Sequence, residues 1–240
     1  QGMITKGQPM IRHLPMFLSG LTAGRSLPSV APQPFRDILP TIKQDVPNPK
    51  GKIAIFTGCL LDFVYVDIAT DVVKALNMAG YIVEMPLGQA CCGAPATYMG
   101  DVENAKKAAE MNLNAMEAEK YDYIVSACPT CTHALRDYVD FFKDDPEMLK
   151  KAEALRSKTF DFCKLVSMLG GLPDTGDGVP MKVTYHDSCH LNRYLGVTKE
   201  QRELLKATKG VELIEMHDCD KCCGFGGSYS VKFPEMSAPI

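Results

Sequence analysis

Ten cysteines stand at positions 59, 91, 92, 128, 131, 163, 189, 219, 222 and 223 of a 240-residue chain. Two pairs are adjacent, in QACCGAP (89–95) and DKCCGFGG (220–227), and a third pair is the C-P-T-C at 128–131. A disulfide between neighbours is strained, because their Cα atoms are locked about 3.8 Å apart, short of the usual ~4.4–6.8 Å. Vicinal thiolates are better suited to sharing one metal atom or ligating two atoms of a polynuclear group. Sulfur-rich donor sets point to zinc or iron–sulfur chemistry. A glycine follows each adjacent pair, and without a side chain it lets the loop turn tightly around a metal.

The spacing repeats. Cys59 is followed by 31 residues and then Cys91 and Cys92, and Cys189 by 32 residues and then Cys222 and Cys223, at offsets of 130 and 131. Strand and helix patterns fall in matching order in the two halves, which makes the chain an internal duplication. The first half continues for 35 residues to Cys128 and Cys131. The equivalent pair would fall near 259–262, past Ile240, so the second half is expected to be incomplete.

Further candidates surround the second set, in HDSCH (186–190) and HDCDKCCG (217–224). One option is a mononuclear site made by Cys189, Cys222 and Cys223 with His190 or His217. The other has His186, His190 and His217 as hydrogen-bonding groups beside the thiolates or on the surface. Cys219 has no first-half counterpart; it is either an extra thiolate ligand or a loop cysteine. Cys163, beside Phe162, reads as a core residue of a helix. GFGGS (224–228) lacks the G-x-G-x-x-G nucleotide fingerprint. No serine–histidine–carboxylate set or helically spaced acid pair argues for hydrolysis.

The elements that must position these thiols follow from periodicity. KIAIFTG (52–58), YIVEMP (81–86) and YDYIVSA (121–127) read as buried strands, each running into a cysteine group. Helical spacing covers 62–80, 101–120 with Asp101 as its cap, and 129–142 with a proline in its first turn. The segment 146–171 reads as two further helices. After the turn-rich link 171–180 the pattern restarts, with a strand at 181–186, a helix at 197–210 and a strand at 211–216. Alternating strands and helices predict an α/β fold: two pseudo-repeated Rossmann-like parallel-sheet halves with helices on both faces. The expected domains are an arm at 1–50, a first domain at 51–170, a linker at 171–180 and an incomplete second domain at 181–240. In an open parallel sheet the carboxyl ends of the strands share one crevice. Five thiols distant in sequence can therefore meet there, beside helix amino termini whose free N–H groups favour negative charge.

Apolar residues make up 46% of the chain and charged ones 23%, enough for a real core. A formal charge of −3 gives no argument for nucleic acid. No apolar run approaches the ~18 residues of a membrane span, and 13–21 is too short and contains Pro15. No signal peptide is visible, so a reducing, cytoplasmic setting is expected, in which so many cysteines indicate metal or redox chemistry. Residues 1–50 carry eight prolines and six Lys/Arg against two Asp/Glu, while the remainder carries 20 against 27. This proline-rich, basic arm on an acidic body reads as a linker that wraps the body rather than a domain, either solvated or docking on a partner or on lipid headgroups. The chain opens at Gln1 without an initiator methionine and is expected to be a fragment of something longer.

TGC (57–59), QACCG (89–93), SACPTC (126–131), HDSCH (186–190) and DCDKCCGFGGSYSVKFPEM (218–236) resemble the duplicated cysteine-rich CCG domain. That domain occurs in iron–sulfur subunits of glycolate oxidase, lactate utilisation complexes and anaerobic glycerol-3-phosphate dehydrogenase, and in heterodisulfide reductase. The resemblance covers about 51–240. It implies that Cys59, Cys91, Cys92, Cys128 and Cys131 form one whole motif for a [4Fe-4S] cluster, which in the family can be non-cubane. Cys189, Cys222 and Cys223 match the start of a second motif, which in some members is degenerate or binds zinc. The arm resembles the linker that follows a ferredoxin-like domain in fused members. The implied function is electron transfer from a flavin-containing dehydrogenase for a 2-hydroxy acid, through ferredoxin-type clusters, to quinone or another acceptor. That would be a cytoplasmic complex, peripheral on the membrane face if quinone is the acceptor. The alternatives are a heterodisulfide-reductase-type site that cleaves a disulfide and a structural zinc module.

Overall fold

A computed structural model describes residues 10–11, 27–174, 178–226 and 228–240. Strands β1 (Gly51–Ile55), β2 (Tyr81–Glu84), β3 (Tyr123–Ser126) and β4 (Thr159–Asp161) form a parallel sheet in the order β2–β1–β3–β4. Side chains alternate along β1. Ala54 and Phe56, just beyond its end, enter one apolar layer, and Ile53 and Ile55 the other. After the short helix α4 (Ala94–Tyr98), helices α5 (Val102–Met116), α6 (Pro129–Asp137) and α7 (Pro146–Lys158) cover the first face with Leu113, Leu135 and Leu155. Helices α1 (Phe35–Ile38), α3 (Val66–Met78) and α8 (Phe162–Met168) cover the second with Phe35, Val73, Leu76 and Leu165. Both faces are dry, as a parallel sheet requires.

The second half repeats the start of this plan. Strand β5 (Met181–Val183) pairs in parallel with β6 (Val211–Leu213), with Met181 opposite Val211. In the first half Gly51 lies opposite Tyr81, so both partners are displaced by the same 130 residues that separate Cys59 from Cys189. Helix α9 (Glu200–Ala207) packs between the halves against α8.

Several boundaries differ from expectation. The segment 146–171 is not two adjoining helices, because β4 intervenes; a three-residue strand, Thr-Phe-Asp, is too short to show a period. The helix expected over 62–80 is two, α2 (Gly58–Phe63) and α3, because the Val64 and Tyr65 N–H groups both turn back to the Leu60 carbonyl. Helix α5 starts at the Asp101 cap, whose Oδ1 accepts from Asn104 N at 3.2 Å. It stops at Met116 because Glu117 takes φ 40°. In the arm, Met10–Ile11 pair antiparallel with Leu27–Pro28.

The carboxyl-terminal part of the arm is not a solvated linker. Phe35 is fully buried and Leu39 nearly so, in the same apolar layer as Ile53 and Val73. Arg36 binds the fully buried Asp62 carboxylate through its backbone N–H and its guanidinium. Gln44 imitates a neighbouring strand at the β2 edge. Its Nε2 donates to Val83 O and its Oε1 accepts from Val83 N, both at 2.8 Å. An edge covered in this way cannot recruit foreign strands. Among the described residues no helix is long and apolar enough to cross a membrane.

Candidate metal centre

Three first-half cysteine groups leave the same edge of the sheet. Cys59 lies in α2 directly after β1, Cys91 and Cys92 in the loop after β2, and Cys128 and Cys131 at the start of α6 after β3. Their thiols lie close enough to act on one another's charge in sequence: Cys59 with Cys91, Cys91 with Cys92, Cys92 with Cys131 and Cys131 with Cys128. The series runs from solvent inward. Cys59 and Cys91 are exposed, Cys128 is half-buried, and Cys92 and Cys131 are buried. Gly58 makes the approach possible, since a Cβ there would sit 2.8 Å from Cys131 Sγ.

The electrostatics alternate along the series. Cys91 is held low by the Cys59 and Cys92 thiols, with help from the Gly93 N–H and against desolvation. Cys128 is pulled down to about 6, first by the Cys131 thiol and then, against burial, by the N–H groups of Cys131 and Thr130 in the first turn of α6. Cys59 is pushed up by the Cys91 thiol, and Cys131 by the Cys128 and Cys92 thiols. At Cys92 the Cys131 contact pulls downward, but the Cys91 contact and burial push the thiol up on balance. The thiolate is the form in which cysteine ligates metal, and the downward shifts at Cys91 and Cys128 favour it. Among the described residues, no three His, Cys, Asp or Glu side chains are placed to hold a single ion.

In the second half Cys222 and Cys223 lie close enough to Cys189 to act on its charge. Cys222 Sγ accepts from Gly224 N at 3.5 Å. The other candidates are engaged elsewhere. Cys219 sits between Arg202 Nη2 (3.4 Å) and Asp187 Oδ2 (3.5 Å). His186 Nε2 lies 2.8 Å from Lys221 O, and His217 is a solvent-facing partner of Asp218. His190 reaches Tyr98 and Thr130 of the first half. Cys163 belongs to neither set. It is half-buried beside Asp161 and Glu200 rather than in the apolar core expected for it.

The cysteine-rich domain model of the CCG family matches residues 53–136 and 183–240. The chain belongs to the CCG cysteine-rich domain family. Curated relatives of this CCG chain include Lactate utilization protein A of Bacillus velezensis, 38% identical over 186 residues, or 78% of this chain and 77% of the relative. The proteins of that name from Bacillus subtilis (37% over 186 residues, 78% and 77%) and Shouchella clausii (38% over 185 residues, 77% and 77%) match to similar extents.

Residues that hold the CCG loops escaped the sequence reading. Asn112, fully buried on α5, accepts from Ala90 N at 2.8 Å and donates to Cys91 O at 3.0 Å. It also donates to Tyr138 Oη, which donates in turn to Cys92 O at 3.0 Å. Gln89 ties the loop to the end of β1 by donating to Ile55 O at 2.8 Å and accepting from Thr57 N at 3.3 Å. In the second half the same task falls to Arg202, which bonds both oxygens of Asp187 at 2.9 Å and Glu215 at 2.8 Å. That staple joins the HDSCH loop to the one carrying Cys222. A buried polar residue on a helix carried the only available signal, and polar residues on helices are too common to single these out.

Proposed function

We propose that this chain is an iron–sulfur electron-transfer subunit of a lactate-utilisation oxidoreductase. The observation that supports it most is the gathering of five free cysteines just past the carboxyl ends of β1, β2 and β3, with Gly58 pressed against Cys131 Sγ. The relatives' name, Lactate utilization protein A, supplies the process. Cys59, Cys91, Cys92, Cys128 and Cys131 would hold the first cluster, of the [4Fe-4S] type. Cys189, Cys222 and Cys223 are the candidate ligands of a second metal group. A bound cluster supplies one-electron acceptance and donation.

The protein's own residues prepare the ligands. Asn112, Tyr138 and Gln89 fix the backbone of the loop that carries the vicinal pair. The first turn of α6 stabilises negative charge on Cys128. Burial of Cys92 and Cys131 excludes water on the inner side, while exposed Cys59 and Cys91 mark the side open to a redox partner. That partner is a flavin-containing dehydrogenase or a ferredoxin-type iron–sulfur domain, with quinone as the downstream acceptor.

Anaerobic purification with iron and acid-labile sulfide counts tests the reading, and brown protein with both in comparable amounts is expected. Zinc alone without labile sulfide would overturn it. Cys91→Ser should remove most first-half iron, and unchanged iron would strike Cys91 from the ligands. The same open edge at Cys59 and Cys91 also suits a disulfide-cleaving site. Reduction of a small disulfide by the isolated loaded chain would favour that second reading.

A further inference from the structure

Cys189 is followed by a single π-helical turn, His190–Tyr194, which lies against α6 of the first half. Several contacts cross the boundary there. Tyr98 Oη and His190 Nε2 are 2.8 Å apart. The opposite ring nitrogen, Nδ1, lies 3.4 Å from Thr130 Oγ1. The His133 ring stacks on Tyr194 with centroids 4.5 Å apart and planes at 23°. All three first-half residues border the thiol site. Tyr98 and His133 line a cavity of about 60 Å³ together with Cys92. Thr130 lies inside C-P-T-C, and its N–H bonds Cys128. On the other side, His190 adjoins Cys189.

We propose that Tyr98 is a positioning residue that, by holding His190, clamps the Cys189 turn of the second half against the inner wall of the first-half thiol site. Cys92 and Cys128 are then shielded partly by the other half of the chain. The two thiol sets are also held at one separation, which electron passage between them requires. That consequence rests on the iron–sulfur reading; the clamp does not, and its test needs no metal.

The experiment is per-cysteine alkylation of the reduced, metal-free full chain with iodoacetamide, followed by mass spectrometry. Tyr98→Phe keeps the ring and loses only the hydroxyl. It should raise the rates at Cys92 and Cys128 by about threefold or more, as local opening does, and leave exposed Cys59 and Cys91 unchanged. His190→Ala should do the same, and the double variant should be no faster than His190→Ala, because both changes remove one contact. His190→Gln, which can still bond Tyr98 Oη, should return the rates toward the parent. Unchanged rates at Cys92 and Cys128 in Tyr98→Phe would overturn the clamp. So would fully additive effects, or an equal rise at Cys59, Cys91, Cys92, Cys128 and Cys131. If His190→Ala fails to fold, Tyr98→Phe decides alone. Absence of iron in the purified protein would remove the iron–sulfur reading and leave this result standing.

Discussion

Asp161 ends β4 at 5% exposure and caps α8, its Oδ1 accepting from Cys163 N at 2.9 Å. Burial pushes its carboxyl up to about 6, against the pull of the N–H groups of Cys163, Lys164 and Phe162. A raised carboxyl pKa means that the folded state binds the proton more tightly than the unfolded chain. The associated stability is therefore present below the unfolded value of about 4, falls as pH rises through about 6, and is gone above it. Asp161→Asn keeps an acceptor for the cap and removes the buried charge. Its urea midpoint should exceed the parent's at pH 7.5, by on the order of 1–3 kcal/mol in stability, and the gain should vanish near pH 4. A midpoint below the parent's at pH 7.5 would mean that the ionised carboxylate is worth more to the cap than its desolvation costs.

Helix α2 begins at Gly58 with φ 57°, in the left-handed region, and a Cβ there would press on Cys131 Sγ. The residue before Cys59 thus sets how closely two elements approach. Gly58→Ala should cost roughly 1–2 kcal/mol for the left-handed backbone, read from urea unfolding. It should also lower iron retention by displacing Cys131, whereas Gly100→Ala, at φ 82° with open space around it, should carry the backbone cost alone. Equal iron in the two variants would mean that the close approach has no part in ligation. The adjacent pair is held differently, from behind. Asn112 on α5 and Tyr138, just past α6, reach the loop only because α5 and α6 pack on the same face of the sheet.

The first-half body includes part of the arm. Phe35 and Leu39 complete an apolar layer, and Gln44 covers the β2 edge. Burial of a phenylalanine alone is worth about 3–5 kcal/mol by truncation. A chain starting at residue 51 should therefore melt lower by about 10 °C or more, at roughly 2–4 °C per kcal/mol for a domain of this size. An unchanged melting temperature would return the arm to the status of a free linker. At the same scale α9 and the His190–Tyr194 turn join the halves, so the two thiol sets belong to one packed body.

The positions of the ligand candidates were legible in the sequence because cysteine spacing survives folding unchanged. The 130-residue repeat and the strand periods placed all three first-half groups at strand ends. The α/β class followed from the same periods, since 2-fold and 3.6-fold alternation are local properties of the chain. Tertiary structure alone decided the rest. β4 was invisible because three residues carry no period, and the packing of Phe35 because an apolar residue among prolines does not declare its partner. Gln89, Asn112, Tyr138 and Arg202 hold loops 13–46 residues away, and Cys219 and His190 turn to partners other than the thiols beside them in sequence. Hydrogen bonds of that reach depend on where separate elements come to rest, and no local pattern of residue types encodes that.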